Sequence, residues 1–204
     1  VIVSQHYIDT TDVIVIYVKD INEFYFKALK IFYNIEYGLK IGVTGTCGKT
    51  TTVTLLYETL KKLNKNLLLI SSNGNYSFIN GVEQMYDTIN TTPNIEIIYE
   101  LISSHNYDYI IIEVSSQGIM NRRIEGIMFD ICCFLNLSNE HLDYHKTLSN
   151  YLNAKIKLFN QLKKGGIGLV NDKCKFKNLF YLDKINVYTF GINSGDYFIS
   201  YYNL

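Results

Sequence analysis

Residues 39–51 read Leu39-Lys40-Ile41-Gly42-Val43-Thr44-Gly45-Thr46-Cys47-Gly48-Lys49-Thr50-Thr51. The apolar run over 39–44 predicts a buried strand. Thr50–Leu63, with Val53, Leu56, Leu60 and Leu63 on one stripe, predicts a helix. Glycines at 42, 45 and 48 let the backbone between them turn tightly, so that successive N–H groups and the positive helix end face phosphate oxygens. Lys49 would reach the β- and γ-phosphates and the Thr50 hydroxyl would ligate Mg²⁺. The strict GxxxxGK[ST] spacing is not met, because Val43 stands five before Gly48. A glycine-rich turn of structural value only is the alternative, but a strand before it and Lys-Thr-Thr after it point to a nucleoside-triphosphate site. Gly45, Thr46, Cys47, Gly48, Lys49, Thr50 and Thr51 are the candidate binding residues.

Outward from this loop, apolar runs alternate with helical stretches. Strands are predicted over 67–70, 109–114, 129–137, 167–170 and 185–190, and helices around Ile95–Ser104 and over 148–162. Runs such as YIIIEV are almost continuously apolar, as in strands buried on both faces. The expected fold is α/β, a mostly parallel sheet flanked by helices of the P-loop NTPase type. Residues 1–34, with a β-rich stretch at 13–18 and a short helix around 22–32, read as the tail of a preceding domain and its connection; residues 35–204 read as the ATP-binding domain. The chain opens on Val1, so it is expected to be part of a longer protein.

Composition narrows the classes. The 204 residues hold 19 Lys+Arg against 19 Asp+Glu, without the basic surplus that phosphate-dominated binding of nucleic acid requires. With 48% hydrophobic and 14% aromatic residues a packed core is affordable, which excludes disorder. No apolar run approaches the ~20 residues of a membrane span, and residues 1–20 carry Asp9, Asp12 and Asp20 where a signal peptide would be basic then apolar. A soluble, cytoplasmic monomer without nucleic-acid or membrane partners is expected. The four Cys form no CxxC pair, and adjacent Cys132 and Cys133 read as small buried hydrophobes.

Three further residues carry chemistry. Glu113, at the end of a strand near the loop, can hold Mg²⁺; a paired strand-end Glu is the plainer reading. His141, near the end of 129–137, is a candidate metal ligand, whereas His145 reads as a hydrogen-bonding structural residue. Leu148, Leu152, Phe159 and Leu162 define an apolar stripe on which Lys155 also falls. Burial there would lower its pKa, and a neutral amine can take up CO₂ as a carbamate. The alternative is a lysine snorkelling to the surface.

Together, TGTxGKTT, Asn90-Thr91-Thr92-Pro93, Glu113-Val114-Ser115-Ser116, Asn136-Leu137-Ser138, His141-Leu142-Asp143-Tyr144-His145, Ala154-Lys155 and Tyr188-Thr189-Phe190-Gly191 resemble, in order, the ATP-dependent Mur ligases. The similarity covers residues 35–191, and 12–34 more loosely; the family's C-terminal domain and most of its N-terminal domain lie outside it, so the isolated piece is expected to bind ATP poorly and ligate little. NTTP and HLDYH favour the members that add the third residue of the peptidoglycan stem peptide; another Mur ligase, a folylpolyglutamate synthetase or an inactive nucleotide-binding remnant are the alternatives.

The resemblance implies ATP, two Mg²⁺ ions and a carbamylated Lys155. It implies catalytic roles for Lys49, His141 and Lys155, and metal ligation by Thr50, Glu113, His141 and carbamylated Lys155. It also implies contact of UDP-MurNAc-dipeptide with Asn90, Thr91, Thr92, Ser115, Asn121 and Arg123, a nucleotide-base contact at Asn171, and a diamino acid, meso-diaminopimelate or L-lysine, as the partner substrate. Cys47 stands where the family usually has Asn, Gln117 where it has His, Asn121 where it has Gln, and Asn139-Glu140 where it has Arg-Asp.

Overall fold

The computed structural model describes residues 1–88, 90–140, 142–183 and 185–200. Chain order is β1 (Ile2–Ser4), β2 (Val15–Tyr17), α1 (Ile21–Phe32), β3 (Leu39–Thr44), α2 (Lys49–Lys62), β4 (Leu67–Ser71), β5 (Gly74–Ile79), β6 (Val82–Tyr86), α3 (Ile95–Ser103), β7 (Tyr109–Glu113), α4 (Ser116–Met120), β8 (Phe129–Phe134), α5 (Leu142–His145), α6 (Leu148–Phe159), β9 (Leu162–Asn171), a 3₁₀ turn (Lys177–Phe180), β10 (Asn186–Ile192) and β11 (Tyr197–Ile199). β1 and β2 form a small parallel sheet. The other nine strands form one sheet in the order β11-β10-β9-β8-β3-β7-β4-β5-β6.

From β11 to β4 all pairings are parallel, as the continuous apolar runs predict. Side chains of β7 alternate between two cores. Ile110 and Ile112 join Ile98, Phe129, Leu158 and Phe159 on one face, and Ile111 joins Val43, Val53 and Tyr57 on the other. Strand and helix periodicities therefore agree on a three-layer α/β/α arrangement. Cys132 and Cys133 are buried free thiols, and burial pushes the Cys133 thiol up to about 12.

The structure corrects several boundaries. Residues 74–86, left unassigned by the apolar pattern, form an antiparallel hairpin extending the sheet edge. Its signal was present: Asn80 (φ +50) and Gly81 (φ +86) form the two-residue turn that such dipeptides favour, but polar Asn75 and Ser77 mask the strand. Helix α6 stops at Phe159 rather than 162, and Leu162 instead opens β9. That strand begins five residues before the predicted 167–170 because a register shift beside Phe129 and Ile131 absorbs the intervening residues.

Helix α1 is capped by Asp20, whose carboxylate accepts from the Asn22 and Glu23 N–H groups. It packs on the main sheet's helical layer through buried Leu29, with Phe26 and Tyr33 beside it. No helix among the described residues is long and apolar enough to cross a membrane.

Candidate active site

β3 lies between β7 and β8. Its crossover through α2 leads to β4 on one side, whereas β8 leads through α6 to β9 on the other. The carboxyl ends of β3 and β8 therefore flank the topological switch point where α/β sheets bind ligands. Chain segments from 44–51, 71–72, 90–92, 113–117, 135–139 and helix α6 gather there.

The glycine-rich loop leaves β3 at Thr44 and enters α2 through Gly48, which has φ +80 and supplies no side-chain cap. The first amides of α2 are thus left for an anion. Asn136, just past β8, fastens the loop. Its Oδ1 accepts from the N–H groups of Thr46 (3.0 Å) and Cys47 (2.9 Å), and its Nδ2 donates to Cys47 O (3.0 Å). Ser138 N–H adds a bond to Thr46 Oγ1 at 3.0 Å. The sequence reading quoted Asn136 but gave it no role; its position at a strand end beside the loop was the available signal.

Thr50 Oγ1 donates to Glu113 Oε1 at 2.9 Å. The other carboxylate oxygen, Oε2, accepts from Ser72 N–H at 2.9 Å and lies 3.0 Å from Ser72 Oγ. Glu113 is buried, at 1% exposure. The hydroxyl–carboxylate pair at the loop's mouth is an all-oxygen donor set of the kind Mg²⁺ prefers. Glu113 is thus a paired strand-end residue whose carboxylate faces the loop.

Lys155 is equally buried, at 1%, so the snorkelling alternative fails. Its Nζ donates to Gly45 O at 2.7 Å and sits 4.2 Å from the centroid of the Tyr151 ring. Burial, and then the neighbouring Lys49 ammonium, lower its pKa to about 7. Lys49 Nζ donates to Thr46 O at 2.8 Å. His141 lies outside the described residues. His145 is buried with Nε2 2.9 Å from Ser116 Oγ, consistent with a structural role.

A cavity of about 260 Å³ is lined by Lys49, Thr50, Glu113 and Lys155 on one side and by Asn90, Thr91, Thr92, Ser115, Gln117 and Arg123 on the other. Arg123 Nη1 donates to Thr92 O at 2.9 Å. Thr92 is fully buried; its hydroxyl donates to Glu113 O and meets Ser115 Oγ, so it braces the wall rather than offering a contact. Asn121 is not brought to this cavity. It caps the C-terminal end of α4 and its Oδ1 accepts from Tyr144 OH at 3.4 Å; Gln117 lines the cavity instead.

A second cavity, of about 540 Å³, is lined by Asn171 together with Leu135, Asn136, Ser138, Cys174 and Phe176, among others. Asn136 belongs to its wall and also holds the loop, so the two cavities adjoin across the loop.

Comparison with known proteins identifies the family and the fold. The Mur ligase middle domain model matches residues 43–203. The UDP-N-acetylmuramoyl-L-alanyl-D-glutamate--2,6-diaminopimelate ligase of Parabacteroides distasonis is 44% identical over 134 residues, 64% of this chain and 27% of that protein. A solved structure of a ligase of that name superposes with a TM-score of 0.72 at 23% identity, covering 96% of this chain and 41% of the other. The Thermotoga maritima MurF ligase, solved with ADP, gives 0.63 at 19%, covering 95% and 42%. The chain thus spans well under half the length of these relatives. On the family match and the shared fold, the chain belongs to the Mur ligase family and carries its middle domain.

Proposed function

We propose that this chain carries the ATP-dependent catalytic core of an amide ligase that joins a diamino acid to UDP-MurNAc-L-Ala-D-Glu, with residues 1–34 as the end of a uridine-side domain. The single observation that carries this is the convergence on one cavity of the Thr50–Glu113 pair, buried Lys155 and Arg123. A phosphate-binding face thereby opposes a guanidinium suited to a carboxylate. The names of the relatives favour diaminopimelate as the incoming amine.

In this reading the loop amides from Gly45 to Thr51 and the Lys49 ammonium bind the triphosphate of ATP, and the neighbouring cavity with Asn171 takes its base. Arg123, Ser115, Asn90 and Thr91 orient the substrate's terminal carboxylate toward the γ-phosphate. A carboxylate oxygen attacks phosphorus and ADP leaves, giving an acyl phosphate. The amine then displaces phosphate to form the amide. Positioning and charge neutralisation do most of this work.

Thr50 and Glu113 fit Mg²⁺, which when bound would offset charge on the phosphates. The half-neutral Lys155 amine is suited to form an N–C bond to CO₂ and lose a proton. The resulting carbamate, with His141, would hold a second Mg²⁺.

The test, run on the longest natural protein that contains this chain because the isolated piece is expected to ligate little, is ADP release with UDP-MurNAc-L-Ala-D-Glu plus diaminopimelate or L-lysine, against a folate substrate plus glutamate. It is accompanied by ATP binding with and without Mg²⁺ and by intact mass with and without bicarbonate. Dipeptide-dependent ADP release supports the reading. ATP binding without any response to the dipeptide overturns the substrate assignment.

A further inference from the structure

Two aromatic side chains of α1 reach the two segments that wall the smaller cavity, and nothing in the proposed chemistry uses them. The Arg122 guanidinium lies 4.4 Å from the centroid of the Phe26 ring, a cation–π contact. Tyr25 OH donates to Glu96, in the first turn of α3. Arg122 has φ +56, a left-handed conformation costly for a residue with a Cβ. Its N–H donates to Ile119 O at 3.1 Å and its Nε to Glu125 at 3.3 Å. The next residue is Arg123, whose N–H donates to Gly118 O at 2.9 Å and whose side chain holds Thr92 O. Glu96 follows Pro93 by three positions, so the Tyr25 bond anchors the other end of the same wall.

We propose that Tyr25, Phe26 and Arg122 are positioning residues that fasten segments 90–96 and 115–125 to α1, so that Arg123 and Ser115 face the cavity in the orientation an anionic acyl substrate needs. The inference rests on the reading of that cavity given above. Because α1 follows the β1–β2 unit directly, a shift of that unit against the main sheet reaches Arg123 and Thr92 through these contacts while leaving the phosphate loop alone. The sequence pointed here only indirectly, in that Arg122 and Arg123 are its only arginines.

The experiment compares the full chain with Arg122→Gly, Phe26→Leu and Phe26→Tyr. Glycine adopts the left-handed backbone at 122 without strain, so that variant removes the guanidinium without disturbing the turn. Peptide-resolved hydrogen exchange is followed in segments 90–96, 115–125 and 42–51, alongside dissociation constants for UDP-MurNAc-L-Ala-D-Glu and ATP. Arg122→Gly and Phe26→Leu should speed exchange in the first two segments roughly fivefold and weaken dipeptide binding by a similar factor. Exchange in 42–51 and ATP affinity should stay within about twofold, and Phe26→Tyr should behave as the parent. Unchanged exchange in the wall segments, or equal acceleration in all three, overturns the proposal. If the parent chain binds no dipeptide, the cavity's assigned substrate is wrong, and the exchange comparison alone then supports or overturns the coupling.

Discussion

Lys155 Nζ donates to Gly45 O over 2.7 Å although the two residues stand 110 positions apart in the chain. One helix thereby delivers a buried amine to the underside of the phosphate loop. The contact also places that amine near Lys49, whose positive charge adds to burial in lowering the Lys155 pKa to about 7.

This shift fixes a pH dependence. The unfolded lysine titrates near ~10.4 and the folded one near 7, so the folded state resists the proton. The resulting penalty is complete below pH 7, shrinks as pH rises, and vanishes above the unfolded value. In CO₂-free buffer, Lys155→Met should raise the melting temperature over the parent most at pH 6, and the gain should fade toward pH 10. A gain independent of pH would mean the ammonium is not penalised.

The place of Lys155 on the apolar stripe was legible from spacing, since Leu152 and Phe159 flank it and all three are buried, but spacing alone left a snorkelling lysine open and only the family resemblance argued against it. The parallel sheet was legible for the same reason: uninterrupted apolar runs have few other ways to be buried. The hairpin at 74–86 was not, because its inward Asn75 and Ser77 break the apolar signal. Asn136 was missed because its work is three hydrogen bonds to the backbone of a loop 89 and 90 residues away, which no local pattern encodes. Asn121 does not line the cavity; it closes the five-residue helix α4, a placement that the sequence motif did not encode.

Asn136→Ala should loosen the phosphate loop. It removes two acceptor contacts and one donor contact, and side-chain bonds of this kind contribute about 0.5–1.5 kcal/mol each, with some of the loss recovered by water. The expected cost is roughly 1–3 kcal/mol in urea unfolding, with ATP affinity reduced as well. Cys47→Asn should leave both unchanged, since the loop is held through the Cys47 backbone and its exposed side chain makes only a 3.6 Å contact from Sγ to Glu140 Oε1, a donor role that the Asn amide also fills. Equal losses in the two variants would show that the side chain at 47, not Asn136, shapes the loop.

Glu113→Gln keeps the shape of the side chain and removes its charge. Thr50 and Ser72 retain a partner of similar geometry, so the melting temperature should change little. Mg²⁺-dependent ATP binding, measured by titration against a Mg²⁺-free control, should weaken by roughly tenfold or more. If the magnesium increment survives intact, the Thr50–Glu113 pair is structural and the ion is held elsewhere.

Gly118→Ala tests the opposite wall. A Cβ at 118 would meet Thr92 Cβ at 2.7 Å and Thr92 Oγ1 at 2.9 Å, and Thr92 is fully buried with its hydroxyl engaged by Glu113 O and Ser115. Neither residue can retreat without breaking those bonds, so overpacking should cost about 1–3 kcal/mol. The displaced Thr92 would carry the Arg123 contact with it, because Arg123 binds the Thr92 carbonyl and its own N–H bonds Gly118 O. The expected result is a lower melting temperature with dipeptide affinity reduced more than ATP affinity. A variant as stable as the parent, with both affinities intact, would show that the 90–92 segment yields freely and does not fix the cavity's shape.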